Sequence, residues 1–205
     1  MKGPADSFQA RSGQHDKLAV PIVEAVFKRH GFKGYSIGTE NDDAKLYELL
    51  RAQSDPTSIM LRFRPDRVKI RPGVRAVLCE IKSEAGRYPN FAVEVDSYRA
   101  AILWNQQSKH VMFALVDLAT RDTYGVWADE FPRPGTVFVP GRWDFEKQRA
   151  RMVREWPGLP LTPVRWVGGS GTPYMLIPKN HPCLTELDRF IRERVIESIA
   201  TLGRY

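Results

Sequence analysis

Cysteine is nearly absent from this chain: Cys79 and Cys183 are the only two in 205 residues. They are too far apart for metal-ligand spacing and too few for a disulfide framework. Both read as reduced, buried thiols of a cytoplasmic protein. Long apolar runs are missing too. None reaches the roughly 18 residues that a membrane span requires, so no membrane partner is expected. The opening stretch MKGPADSFQARSGQHD lacks the apolar core of a secretory signal, and residues 1–15 read as a flexible segment. Histidine is sparse. His15, His30, His110 and His181 are scattered and suggest no Ser/His/Asp arrangement, and His30 fits a core or helix-end role. The Gly168-Gly169-Ser170-Gly171-Thr172 stretch lacks the lysine of a phosphate-binding loop and reads as a surface loop. Neither an internal repeat nor a low-complexity tract is present.

Positive charge, by contrast, is in surplus. Thirty-one Lys and Arg against 24 Asp and Glu leave a net charge of +7, with a pI near 9.5. Such a balance favours polyanionic partners, because neutralised phosphates release their counterions.

Apolar spacing predicts a helix over about 16–30, with Leu18, Ala19, Ile22, Val23, Val26 and Phe27 on one stripe. Asp16 can cap it, Pro21 is early enough to be tolerated, and Gly31 can end it. A short strand at 33–38 and a helix at 43–53 follow, the Glu40–Asp43 acids serving as caps. A hairpin is expected over 59–70 and 74–82, turning at Pro72-Gly73. Asn90 would cap a helix carrying Phe91, Val95, Tyr98 and Ile102. Strands are expected at 110–118 and 123–128, the first apolar enough to be buried on both faces. Prolines punctuate the chain beyond 130. A basic helix at 144–156 and a last helix near 183–200 are expected there, with Trp143 and Trp156 packed inward.

The hairpin LRFRPDRVKIRPGVRAVLCEIK carries unexpected charge. With a turn centred near Pro72, Asp66 falls opposite Leu78 and Glu80 is its diagonal neighbour. Alternation puts Glu80 and Lys82 on one face and Val77, Cys79 and Ile81 on the other. One face packs while the other gathers two carboxylates and an ammonium. Two close carboxylates repel, and a divalent cation relieves that repulsion; hard oxygen ligands suit Mg²⁺. A lysine beside such an ion could orient or deprotonate a water. A solvated edge-hairpin face is the plainer alternative.

Pro65-Asp66, thirteen intervening residues and Glu80-Ile81-Lys82 resemble the PD-(D/E)XK nuclease superfamily. The run Leu78-Cys79-Glu80-Ile81-Lys82-Ser83 is similar to the second catalytic strand of archaeal-type Holliday junction resolvases. The resemblance covers about 16–128. It implies an α/β fold with a restriction-endonuclease-like αβββαβ core and a mixed sheet over 16–130. Residues 131–205 would then be an accessory region whose C-terminal helix packs on that core. It also implies Asp66 and Glu80 as ligands of Mg²⁺ (Mn²⁺ substituting) and Lys82 as the catalytic lysine. An added acid from the first helix would be Glu24, which equally fits a solvated helix position. Glu94 is a further candidate. Ser83 could touch phosphate or simply end the strand.

Among the cations crowding the hairpin, Arg64, Arg67 and Lys69 could meet DNA phosphates, or could form a solvated edge that discourages aggregation. The expected activity is metal-dependent hydrolysis of DNA phosphodiesters by an endonuclease, structure-specific if the resolvase likeness holds. A resolvase cutting two strands symmetrically would be a homodimer. A restriction or repair nuclease, and a non-catalytic nucleic-acid-binding protein on the same fold, are the alternatives.

Overall fold

The computed structural model describes residues 15–37, 49–50, 56–84, 88–108, 110–131, 133–138, 161–166 and 173–197. The first helix, α1 (Val20–Arg29), continues from a π-helical turn at His15–Ala19 and carries Pro21 in its first turn. Its stripe of Val20, Val23, Val26 and Phe27 is buried. Gly31, at φ 78°, takes the left-handed conformation that ends the helix. Strand β1 (Lys33–Ser36) follows.

The sequence pattern predicts a strand from 59, but the chain instead forms α2 (Pro56–Arg62). That helix is tied to a later one. The Trp104 Nε1–H donates to the Met60 carbonyl at 3.0 Å, and Arg62 lies 3.6 Å from Asp96. The hairpin proper is β2 (Arg67–Arg71) and β3 (Val74–Glu84), turning through Gly73 at φ 77°.

A second difference concerns 90–95. Instead of a helix capped by Asn90, the chain forms β4 (Asn90–Glu94) and only then α3 (Val95–Ser108). Phe91, Val93 and Val95 are buried in alternation, a strand period within an apparent helix stripe. β5 (Val111–Asp117) is buried along all seven residues, as a doubly covered central strand should be, and β6 (Thr123–Trp127) returns beside it. β7 (Arg133–Phe138), β8 (Leu161–Trp166) and β9 (Pro173–Pro178) follow. The expected C-terminal helix starts later than its stripe suggests. β10 (Thr185–Glu186) comes first, and α4 (Leu187–Phe190) and a π-helical turn at Ile191–Glu197 follow. Most of the 43–53 helix, the 144–156 helix, Trp143, Trp156, the Glu40–Asp43 acids and the Gly168–Thr172 loop lie outside the described residues.

The protein is an α/β fold built on a mixed six-stranded sheet in the order β1-β2-β3-β5-β6-β10. Among the described residues of this sheet only β3 and β5 are parallel, and β4 with α3 supplies the crossover that a parallel pair requires. A second sheet has the order β4-β9-β8-β7. Two cores sandwich the main sheet. On one face α1 and α4 cover Val77, Cys79, Ile81, Met112, Ala114 and Val116. On the other, α3, β4 and β9 bury Val111, Phe113 and Leu115. Among the described residues no helix is long and apolar enough to cross a membrane.

Candidate active site on the β2–β3 hairpin

The hairpin pairs Arg67 with Cys79, Val68 with Leu78 and Lys69 with Val77, with a bulge before Arg71 and Val74. That register is offset by two residues from the expected one, which moves Asp66 from opposite Leu78 to the level of Glu80. The turn centres between Pro72 and Gly73, which shifts the register by one residue, and the bulge adds the second; the even total leaves Asp66 on the face of Glu80. Pro65, which has no N–H to donate, precedes Asp66, and the ladder ends there. The Asp66 carboxylate takes over from the missing backbone partner, its Oδ2 accepting the Ile81 N–H at 2.7 Å.

Glu80 is 6% exposed and faces the core that contains Phe113, its neighbour on β5. Lys82, two residues on, donates to Glu80 Oε1 at 2.8 Å and reaches Glu94 Oε2 at 3.8 Å. Glu94, at the end of β4, is itself held. The Ser97 hydroxyl donates to Oε2 and the Tyr174 hydroxyl, from β9, donates to Oε1, each at 3.1 Å. Two carboxylates, those of Glu80 and Glu94, therefore meet one ammonium, and the Asp66 charge acts on it from farther away.

Electrostatics follow from that crowding. Burial, then the Asp66 carboxylate, push Glu80 up to about 8 against the opposing pull of Lys82. Burial works against the Lys82 charge, yet Glu80, Glu94 and Asp66 together raise it well above the ordinary lysine value. Lys82 is thus a fixed cation and hydrogen-bond donor in this arrangement, not a base.

Glu24 is not part of this cluster. It lies on α1, across the sheet from Glu80, and pairs with Lys69 and, at 4.0 Å, with Arg67. The expectation that Glu24 joins Asp66 and Glu80 on a metal is therefore corrected. Lys69 pairs with Val77 and so points to the α1 side, where it is fully buried with its ammonium 4.9 Å from the Phe27 ring centre. Lys69 cannot contact DNA from there, and Arg67 shares its face. Arg64 is half-buried between α2 and β2, and Ser83, half-buried near the end of β3, pairs with Val116 on the face opposite Glu80 and Lys82.

Among the described residues, no three His, Cys, Asp or Glu side chains stand close enough to hold an ion as they are placed. What the site offers is an excess of hard oxygen donors around a single cation. That donor set fits a hard divalent ion such as Mg²⁺ at Asp66 and Glu80 better than a thiophilic one. Neither cysteine competes for a chemical role. Burial pushes Cys79 up to about 12 and the half-buried Cys183, less enclosed than expected, up to about 11. Both remain protonated thiols at neutral pH.

Sequence reasoning missed Ser97 and Tyr174. Ser97 stands three residues after Glu94, a spacing at which a first-turn serine reaches back. Tyr174 is 80 residues distant, and only the β4–β9 pairing brings it to Glu94. No family model matches the chain, and no curated protein is significantly similar to it.

Proposed function

We propose that the protein is a metal-dependent DNA endonuclease of the PD-(D/E)XK type. The observation that carries this reading is the placement of Asp66, Glu80 and Lys82 at one level of one hairpin, with Lys82 bonded to Glu80 at 2.8 Å. The order α1, β1, β2, β3, α3, β5, with β3 parallel to β5, supports a restriction-endonuclease-like αβββαβ core. The surplus of 31 − 24 = +7 charges supports a polyanionic substrate.

Asp66 and Glu80 would hold the ion. Bound there, Mg²⁺ would supply positive charge to a phosphodiester oxygen and acidify a water. Lys82 donates hydrogen bonds toward the attacking water or the phosphorus oxygens and offsets the charge that builds there. Water adds to phosphorus in line with the leaving oxygen, the P–O bond to that oxygen breaks, the proton lost by the water passes to solvent, and the leaving oxygen takes up a proton from solvent to become a hydroxyl. Glu94, fixed by Ser97 and Tyr174, keeps Lys82 aimed at the reacting level. A structure-specific, resolvase-like preference rests on the likeness of Leu78–Ser83 to that group. A second reading, a nucleic-acid-binding protein without catalysis, is favoured by the Lys82–Glu80 bond, which occupies one of the two ligands.

The test is cleavage of labelled four-way junction, flap, duplex and single-stranded DNA with Mg²⁺ or with chelator. Asp66→Asn and Lys82→Ala should each lose at least ~10²-fold in rate. Glu24→Gln should cut normally once folded, since Glu24 serves Lys69. Equal cutting by all variants would sink the assignment, and tight binding without cutting would favour the second reading.

A further inference from the structure

The face that carries the acids continues toward β1, where Tyr35, Ile70 and Lys33 are exposed. Ile37 donates its N–H to the Asp66 carbonyl, so the β1 ladder runs up to the acidic level. One step along, Tyr35 pairs with Val68, and Val68 with Leu78; a further step along, Lys33 pairs with Ile70. Directly paired residues share a face, so Tyr35, Lys33, Val68 and Ile70 lie on the side of Leu78, Glu80 and Lys82. On β5 that face is fully buried, at Val111 and Phe113. On β1 and β2 it is not: Tyr35 is 53% and Ile70 43% exposed, and Lys33 is exposed beside them. The covering layer ends over β3, with the acids at its margin.

A large exposed aromatic beside a lysine, on a rigid sheet next to a phosphodiester-cleaving site, is the chemistry of a base-stacking platform. Bases stack on aromatic faces while a cation meets the backbone. A paired base within a duplex has both of its faces occupied by its neighbours and cannot lie on Tyr35. By ordinary strand rise and spacing, Tyr35 stands roughly 12 Å from Glu80, the span of a few nucleotides.

We propose that this open face holds an unpaired stretch of the substrate strand, with Tyr35 stacking on a base a few nucleotides from the bond placed at Asp66, Glu80 and Lys82. The proposal rests on the nuclease reading and narrows it to substrates with an unpaired segment, such as forks or flaps. Ile70 and Val68 form the apolar floor against which the base edge lies, and Lys33 meets the adjoining phosphate.

The experiment uses the full chain in chelator, so that binding is read without cleavage. The probes are a forked DNA carrying 2-aminopurine at successive positions of its unpaired arm and a fully paired duplex of the same sequence. Tyr35→Ala should weaken fork binding by about 5- to 100-fold and abolish the quenching of one 2-aminopurine position. Tyr35→Phe should retain both, and duplex binding should be unchanged in either variant. Equal loss on fork and duplex, or no loss on the fork, overturns the proposal. So does a wild-type dimer that Tyr35→Ala converts to monomer with fork binding intact, because the face would then join two copies. The two readings fail separately. Tyr35-dependent fork binding without cleavage leaves this inference standing and removes the nuclease. Cleavage lost in Asp66→Asn but indifferent to Tyr35→Ala does the reverse.

Discussion

Glu80 shows what a single carboxylate can cost a fold. It is 6% exposed, and burial with the neighbouring Asp66 raises it from 4.5 to about 8. The folded protein therefore holds a proton there that the unfolded chain releases near its ordinary value. Between pH 4.5 and about 8 the native state binds more protons than the unfolded state, so stability falls as pH rises through that window. Glu80→Gln removes the titration. In metal-free buffer the wild type should lose thermal stability between pH 5 and pH 8, and Glu80→Gln should lose less. Scanning calorimetry across that range checks it, and parallel curves would refute the assignment. Lys69 is the converse case. Fully buried, it is paired with Glu24, and that pairing is why two residues of catalytic type lie away from the site. Their identities suggested function, whereas the face they occupy gives them a structural role.

Elements were legible where their partners are local. The α1 stripe, the Gly31 stop, the Pro72-Gly73 turn and the apolar β5 all announce themselves within a few residues. The shared face of Glu80 and Lys82 was legible because alternation along β3 fixes it, whereas Asp66 joins that face only in an even register. The register itself was not, since a bulge between Lys69 and Arg71 leaves no mark in composition. β4 was hidden for another reason. Phe91 and Val95 satisfy helical spacing while Phe91, Val93 and Val95 satisfy strand spacing, and the partner that decides between them, β9, lies 80 residues on. Gly125 is a contact of the same long-range kind. On β6, a Cβ there would lie 2.7 Å from the Phe190 ring of α4. The glycine lets α4 lie flush on the sheet, and a methyl must push the ring or the strand aside. Gly125→Ala should therefore cost about 1–3 kcal/mol, read as a lower urea midpoint at unchanged slope. A neutral substitution would mean that α4 can move freely on β6.

At the scale of the molecule, the C-terminal third completes both layers. β9 pairs with β4 over five residues, from Asn90 with Pro178 to Glu94 with Tyr174. β10 closes the edge of the main sheet against β6. Leu187, Phe190, Ile191 and Val195 are buried in the core that α1 covers, with Phe190 against Trp127 and Gly125 of β6, and Asp188 sits 3.1 Å from both Arg29 and His30 at the end of α1. The Arg29 guanidinium and His30 hold the Asp188 carboxyl below its usual range despite partial burial, so this link persists at mildly acidic pH. Removing residues 132–205 would uncover Phe91 and Val93 on one side and Val23, Phe27 and Ile81 on the other. Each such side chain gains about 1.5–3 kcal/mol from burial, and several lost together exceed the ~5–15 kcal/mol net stability of a typical domain. A chain ending at Phe131 should therefore show no cooperative thermal transition and should bind a hydrophobic dye, with helix signal partly retained. If the proposed activity is correct, it should also fail to cleave DNA, because Glu94 loses Tyr174 and Lys82 its fixed aim. A sharp transition near that of the full chain would show instead that residues 16–131 fold alone, making the later strands an addition to that core and not part of it.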